Sequence, residues 1–178
     1  MATKEIIYHN SDGTEKKLQF KIRDKFNDEG YLVDNRKNSI KNEYKLLPRE
    51  LTKAERGDLS DLKTLIGKDQ LLVYKSGRVY KPYTVQKIAD FLDTTPRQAK
   101  RLLKKAIQYK VLAEIKINDV VYYMYNPYYE RVVNRISFVV YLAFQDSMLR
   151  DMIEPQYRGR FQQQIENSKE RIEVLSKW

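Results

Sequence analysis

The sequence predicts a mixed α+β protein, and three observations support this prediction. Residues 17–23 alternate between polar and apolar side chains, which is the period of a strand with one buried face. Residues 85–92 place apolar side chains at helical spacing. Residues 111–117 and 120–125 are two apolar stretches with only two residues between them, as in a tight β-hairpin. A chain of 178 residues is long enough to bury a core without disulfides.

Changes in these patterns divide the chain into three segments. Residues 1–50 are predicted to form a β-rich extension, because their apolar runs are short and separated by turn residues. Residues 51–127 combine helices and short strands, and residues 128–178 are predicted to be helical. The extension either adds to the sheet of the middle segment or forms a separate edge for a partner.

Charge and composition narrow the classes of function. The middle segment carries fifteen Lys and Arg against eight Asp and Glu between residues 51 and 126, whereas the two flanking segments are nearly balanced. Such a local excess favours a polyanionic partner. The chain has no cysteine and one histidine, His9, so thiolate sites and paired-imidazole chemistry are excluded. The prediction is therefore a protein that is not an enzyme and has no metal or cofactor. Without a signal sequence or a long apolar run, we expect it in the cytoplasm and not in a membrane.

Cap signals place three helices in the middle segment. Thr52 and Glu55 match a capping box, and Thr84 precedes the second helix as a capping residue. Thr95 is followed by a proline and, three residues after Thr95, by Gln98, which marks the start of a third helix. The turn between the second and third helices is short, and a two-stranded hairpin follows. This order of elements is that of a winged helix-turn-helix.

The third helix separates its charges from its apolar side chains. From Pro96 through Lys110 the sequence has no acidic residue and six basic residues. A helix fits the major groove of DNA, where arginine and glutamine read base edges and lysine contacts phosphates. The predicted contacts with bases, or close to them, come from Thr94, Thr95, Arg97, Gln98 and Arg101. The predicted phosphate contacts come from Lys100, Lys104 and Lys105.

The hairpin that follows is predicted to be mostly structural. Its tip, Asn118-Asp119, is acidic and therefore poorly suited to the minor groove. Lys116 is its one basic residue and is the candidate for a single phosphate contact.

Residues 51–145 resemble the winged-helix proteins of Gram-positive phages and plasmids, including replication initiators of the RepL type. The resemblance lies in the helix start at residues 51–55, the helix pair 85–92 and 95–107, and the apolar helix that follows Asn126-Pro127. It implies DNA binding in transcription regulation or in DNA replication.

The last segment is predicted to form the interface of a homodimer. Its final helix, from residue 155 towards Trp178, carries apolar residues at the period of a coiled-coil seam. The seam residues are Phe161, Ile165, Ile172 and Leu175. An apolar helix over Val132–Met152 is a second candidate for this interface. The alternative is that both helices fold back on their own domain.

The function that the sequence favours is sequence-specific binding of double-stranded DNA by a phage or plasmid transcriptional regulator. A replication initiator that binds origin repeats and recruits host proteins is the first alternative. A second alternative is a winged helix that serves as a docking surface for another protein.

Overall fold

The computed structural model describes residues 2–9, 15–22, 25–27, 29–33, 46–132, 135–169 and 171–175, with the backbone path alone for the first two stretches. It confirms a mixed α+β fold. The helices are α1 (Lys53–Leu62), α2 (Val85–Phe91), α3 (Pro96–Gln108), α4 (Phe138–Phe144) and α5 (Pro155–Glu166). The strands are β1 (Ala2–His9), β2 (Glu15–Ile22), β3 (Phe26–Asn27), β4 (Gly30–Leu32), β5 (Val73–Ser76), β6 (Val79–Pro82), β7 (Leu112–Ile117), β8 (Val120–Tyr125), β9 (Arg135–Ile136) and β10 (Ile172–Val174). Short 3-10 turns lie at Lys63–Leu65, Lys68–Gln70 and Met148–Met152.

A three-stranded antiparallel sheet in the order β10-β7-β8 separates two hydrophobic cores. Successive side chains of a strand point to opposite faces of its sheet. The cross-strand pair Leu112 and Tyr125 therefore joins the core formed with α1, α2 and α3. The next pair, Ala113 and Met124, joins the core formed with α4 and α5. Both faces of the sheet are thus covered, which explains the high apolar content of β7 and β8.

Local signals determine where the helices of the first core begin. The Thr52 hydroxyl accepts a hydrogen bond from the Glu55 backbone N–H at 3.2 Å, and the Glu55 carboxylate accepts one from the Thr52 N–H at 2.7 Å. Thr84 caps α2, and Thr95 with Gln98 forms a second capping box at α3. The three helices thus begin at the residues that the sequence predicts. Each capping side chain accepts hydrogen bonds from backbone N–H groups that the helix leaves unpaired, so side chains near the first turn determine where the helix begins.

A short extended segment between α1 and α2 joins the sheet beside β8. The Leu72 N–H donates to the Tyr123 carbonyl at 2.8 Å, and Leu71 forms an antiparallel bridge with Met124. The chain then continues into the β5–β6 hairpin before it enters α2. The segment contributes to the core as well, because Leu72 is fully buried.

The predicted hairpin of β7 and β8 is confirmed, with the two-residue turn at Asn118-Asp119. Both residues have positive φ, 47° and 67°. Asn and Asp tolerate this left-handed conformation better than most residues, which accounts for their presence in the turn.

Among the described residues, none of the first segment extends the central sheet. β1 pairs with β2, while β3 and β4 form a separate sheet with β9. Gly30 is required in β4 because its φ is +114° and a Cβ there would lie 2.1 Å from the Ile136 carbonyl oxygen. Phe26 and Tyr31 are buried in the second core. Which side chains of β1 and β2 are buried lies outside the described residues.

The predicted long apolar helix over Val132–Met152 is wrong in its bounds. Within the predicted range, Arg135 and Ile136 pair as β9, and α4 begins only at Phe138 and ends at Phe144. The Ser147 hydroxyl then accepts from the Leu149 N–H at 3.2 Å and starts a separate 3-10 turn. A serine in this position offers the backbone an alternative to the helix.

The predicted coiled-coil seam is also wrong. α5 ends at Glu166, whereas Ile172 lies in β10, which pairs with β7. Phe161 is completely buried in the protein's own second core, and Ile165 packs against that core. The same spacing therefore describes a helix face that packs on its own chain, which is the alternative considered above.

Leu175, the last residue of the predicted seam, follows β10 and is 41% exposed. Its N–H donates to the Glu114 carbonyl at 2.9 Å. Ile172 and Val174 are β-branched, which suits a strand. Pairing with β7 gives hydrogen-bond partners to the backbone of this segment. A helix through these positions would leave that edge of β7 uncovered. The predicted helix end near Trp178 lies outside the described residues.

Candidate nucleic-acid interface

Helix α3 has one buried face and one exposed face. Five apolar side chains are buried against the first core, namely Ala99, Leu102, Leu103, Ala106 and Ile107. Its exposed polar side chains are Arg97, Gln98, Lys100, Arg101, Lys104 and Gln108. This division agrees with the helical period of the sequence. The packing of the inner face fixes the direction in which the outer face points.

Four basic residues form a continuous exposed stripe on α3. Arg97, Lys100, Arg101 and Lys104 follow the spacing i, i+3, i+4, i+7 and therefore lie on the same side of the helix. At 1.5 Å rise per residue, the stripe is roughly 10 Å long. We call these four residues the basic stripe. It is the largest concentration of exposed positive charge on any one helix of the described residues.

The polar residues at the start of α3 are engaged in its cap. The Gln98 side-chain oxygen accepts from the hydroxyls of Thr94 and Thr95 at 2.8 and 2.9 Å and from the Thr95 N–H at 3.2 Å. The Thr95 hydroxyl in turn accepts from the Gln98 N–H at 3.3 Å. A bidentate contact with adenine needs both the amide oxygen and the amide nitrogen of glutamine. The three predicted base-contacting residues Thr94, Thr95 and Gln98 thus have a structural use that competes with base reading.

Lys105 points away from the basic stripe and into an ion pair. Its Nζ lies 2.7 Å from Glu55 Oε2, and the lysine side chain is 29% exposed. Hydrogen bonding from Lys105 is the main cause that holds the pKa of the Glu55 carboxyl below its ordinary value. Glu55 also caps α1, so this carboxylate has partners on both helices. No local sequence pattern predicts this contact, because the two residues are fifty positions apart.

Lys116 lies in β7, close to acidic groups of its own hairpin and of β10. Its Nζ is 2.9 Å from Asp119 Oδ1 and 4.0 Å from Glu173 Oε2. The contact with Asp119 raises the pKa of Lys116 and lowers that of the Asp119 carboxyl. The positive charge of Lys116 is therefore compensated locally, which is consistent with a mainly structural hairpin.

The tyrosines of β8 are used as core residues. Tyr123 and Tyr125 are buried, and the Tyr125 hydroxyl donates to the Leu59 carbonyl at 3.2 Å. Burial raises the pKa of Tyr123 to about 12 and raises that of Tyr125 further. These rings stabilise the contact between the sheet and α1.

The described residues offer neither a metal-binding cluster nor a membrane-spanning helix. No group of three His, Asp or Glu side chains in these ranges is arranged to hold a metal ion. No helix in the same ranges has the length and apolar composition needed to cross a bilayer.

Comparison of the chain with protein-family models, with curated proteins and with solved structures found no match. The arrangement of α3 and its neighbours is therefore the basis for assigning a function.

Proposed function

We propose that residues 51–127 form a winged helix-turn-helix that binds double-stranded DNA sequence-specifically through α3. The order of elements supports this assignment. A helix and a short strand segment precede α2, a turn of a few residues connects α2 to α3, and the β7–β8 hairpin follows. In such a unit the second helix of the pair enters the major groove.

The exposed basic stripe is the observation that carries the proposal. A helix with its side chains is narrow enough for the major groove of B-DNA. The stripe presents four positive charges on the side of α3 that the described part of the chain leaves exposed, and its neighbours along the helix add no acidic group. Contacts between these cations and phosphates release counterions, which favours binding to a polyanion.

Position along the helix assigns roles within the basic stripe. Residues near the N-terminus of a recognition helix contact base edges, so Arg97 and Arg101 are assigned to bases. Lys100 and Lys104 are assigned to phosphates. Lys105 and Lys116 are omitted from the interface because each is in an ion pair with an acidic residue.

Thr94, Thr95 and Gln98 keep a supporting role in this proposal. Their hydrogen bonds hold the first turn of α3 and therefore the direction of the Arg97 side chain.

Homodimerisation remains a prediction, but the coiled-coil seam that was predicted to mediate it is not formed. Light scattering on the purified chain tests it directly.

Arginine replacement tests the proposal. The bound sequences are first selected from a random duplex pool, and the dissociation constant is then measured by fluorescence anisotropy at several salt concentrations. Arg97→Ala and Arg101→Ala should each cost about 1–3 kcal/mol on the selected duplex and less on random DNA. Arg150→Ala and Lys169→Ala, which remove exposed charges outside α3, serve as matched controls. Equal affinities for the wild type and both arginine variants would refute the proposal.

A second measurement distinguishes transcription regulation from replication initiation. Genome fragments bound by the protein are recovered and sequenced. Sites at promoters support transcription regulation, whereas repeated sites at a replication origin support initiation. Affinity that changes little with salt would instead indicate docking of another protein.

A further inference from the structure

The β5–β6 hairpin is a two-stranded unit separate from the central sheet. Its strands pair with each other, and Gly77 and Arg78 form the two-residue turn between Ser76 and Val79. Gly77 has a φ of +63°, a conformation that glycine adopts without strain and that such hairpin turns require. This turn places Arg78 at the tip, where it is exposed.

The strand register shows the direction in which this hairpin points. Leu71 lies opposite Met124 in an antiparallel bridge, so the chain from residue 71 towards β5 runs along β8 towards its first residue. That first residue, Val120, follows the Asn118-Asp119 turn. The tips of the two hairpins therefore lie towards the same end of the sheet. β6 also passes beside β8.

Aromatic contacts fix the base of the hairpin against α2. The ring of Tyr74 lies 5.4 Å from that of Tyr83 in an edge-on arrangement, and Tyr83 contacts Phe91 of α2 in the same manner at 6.4 Å. Lys87, also on α2, lies with its Nζ 4.4 Å from the centre of the Tyr74 ring. These contacts hold the hairpin beside the helix that immediately precedes α3.

The hairpin is basic, and its surface is open. Residues 70–89 contain no acidic residue. The exposed cations of this stretch are Lys75, Arg78, Lys81 and Lys87. Two apolar side chains, Val79 and Tyr80, are 60% and 65% exposed beside the tip. A tip with an arginine and adjacent apolar groups matches the chemistry of proteins that enter the minor groove.

The β7–β8 hairpin has the exposed apolar residues Val120 and Val121 beside its tip but no arginine. Lys116, the one basic residue of β7 and β8, is paired with Asp119 at the tip and lies near Glu173. Because Lys116 and Asp119 compensate each other, that tip offers phosphates no net positive charge, whereas Arg78 would be attracted by them. The two hairpins point to the same end of the sheet but differ in charge.

We propose that the β5–β6 hairpin is a second contact with duplex DNA, made on the backbone and minor groove beside the major-groove site of α3. It takes the part that a wing has in the proposed winged helix, with Arg78 and Lys81 as its main contacts. This inference rests on the proposed function.

Charge removal on the hairpin tests the inference with a long mixed-sequence duplex as the probe. The double variant Arg78→Gln and Lys81→Gln should bind roughly tenfold more weakly near physiological salt, and the salt slope should fall by about two units. The control Arg150→Gln and Lys169→Gln removes the same exposed charge elsewhere and should bind as the wild type. Thermal melts of all three proteins check that the fold is retained. An unchanged affinity and slope for the hairpin variant would overturn the inference.

A tethered cleavage reagent locates the tip on DNA. Because the chain has no cysteine, Arg78→Cys gives a unique site for an iron–EDTA conjugate. Cleavage should be confined to a few nucleotides on one side of the α3 footprint, whereas the conjugate at Arg150→Cys should give none. Absence of cleavage from position 78 on duplex that is bound would also overturn the inference.

The outcomes distinguish this inference from the proposed function. If the Arg97→Ala and Arg101→Ala variants lose affinity and the hairpin variant does not, only the hairpin contact is refuted. If neither set of variants changes binding, the proposed function is refuted as well.

Discussion

Lys105 Nζ lies 2.7 Å from Glu55 Oε2, and this ion pair connects α3 to the N-terminal cap of α1. The contact divides the basic residues of α3 into two groups. The basic stripe faces away from the protein, whereas Lys105 stabilises the packing of two helices. Neighbouring lysines on one helix thus have different roles, and solution measurements can separate them.

Neutralising each of two adjacent lysines tests this division. Lys104→Gln should reduce the salt slope of DNA binding by about one unit, because the wild-type lysine is exposed on the basic stripe. Lys105→Gln should leave the slope unchanged and lower the free energy of unfolding by about 1 kcal/mol, since it removes the ion pair with Glu55. Binding is measured by anisotropy over a salt series, and stability by urea denaturation.

The reverse pattern would contradict the division. If Lys105→Gln reduced the salt slope while the stability of the protein stayed the same, Lys105 would be a phosphate contact and its ion pair with Glu55 would be incidental.

The ion pair also predicts a dependence of stability on acid pH. Hydrogen bonding from Lys105 and from Thr52 lowers the pKa of the Glu55 carboxyl below its ordinary value of 4.5. A carboxyl group whose pKa is lowered by folding contributes stability above about pH 4.5. This contribution is lost as the pH falls through the pKa of the group in the folded state. Glu55→Gln keeps a capping side chain and removes the charge. We therefore expect Glu55→Gln to lose less stability than the wild type when the pH falls below the ordinary carboxyl pKa.

The measurement is the free energy of unfolding by urea at a series of acidic pH values. Burial, with help from Asp61 and Glu55, raises the pKa of the Asp58 carboxyl, so that group has the opposite pH effect. The comparison is consequently made between the slopes of the wild type and of Glu55→Gln. Parallel slopes would show that Glu55 does not contribute to the pH dependence.

The sequence predicted the elements whose boundaries depend on nearby residues. The cap residues Thr52 and Thr95 act on backbone N–H groups within one turn, so each helix start is encoded locally. The turn at Asn118-Asp119 is equally local, because it depends on the conformational preferences of two residues. The inner and outer faces of α3 follow from the helical period alone.

Errors occurred where distant contacts decide the structure. Beyond Glu166 the chain could continue as a helix or pair with an open strand, and only the position of β7 favours the strand β10. The ion pair of Lys105 depends on a partner in another helix. The period of an amphipathic helix does not reveal whether its apolar face meets its own chain or a second copy.

Tyrosine ionisation predicts a loss of stability at alkaline pH. Burial raises the pKa of Tyr123 to about 12 from an ordinary value of 10. A raised pKa means that the associated stability is fully present below pH 10 and is lost as the pH rises towards the folded-state value. Two pKa units correspond to roughly 3 kcal/mol. We therefore expect the free energy of unfolding to fall steeply between these limits.

Tyr123→Phe removes the ionisable group and is the matched variant. Its free energy of unfolding should decrease less over the same pH range, since the remaining decrease comes from other groups such as Tyr125. Ionisation is followed by the ultraviolet absorbance of tyrosinate. Early ionisation of all fourteen tyrosines, before unfolding, would show that the rings of β8 are accessible to solvent.

Replacement of Phe161 distinguishes an internal core from a dimer seam. The Phe161 ring stacks on Tyr141 with centroids 4.4 Å apart and meets the edge of Phe26 at 4.8 Å. Because its side chain is fully buried within one chain, Phe161→Ala should lower the free energy of unfolding by about 3–5 kcal/mol. Gln162→Ala, which changes the exposed neighbour, should have almost no effect. Stability is measured by urea denaturation and the mass in solution by light scattering. A variant that kept its stability but changed from dimer to monomer would place Phe161 at an interface between chains, because loss of an internal contact weakens each folded chain whatever its oligomeric state.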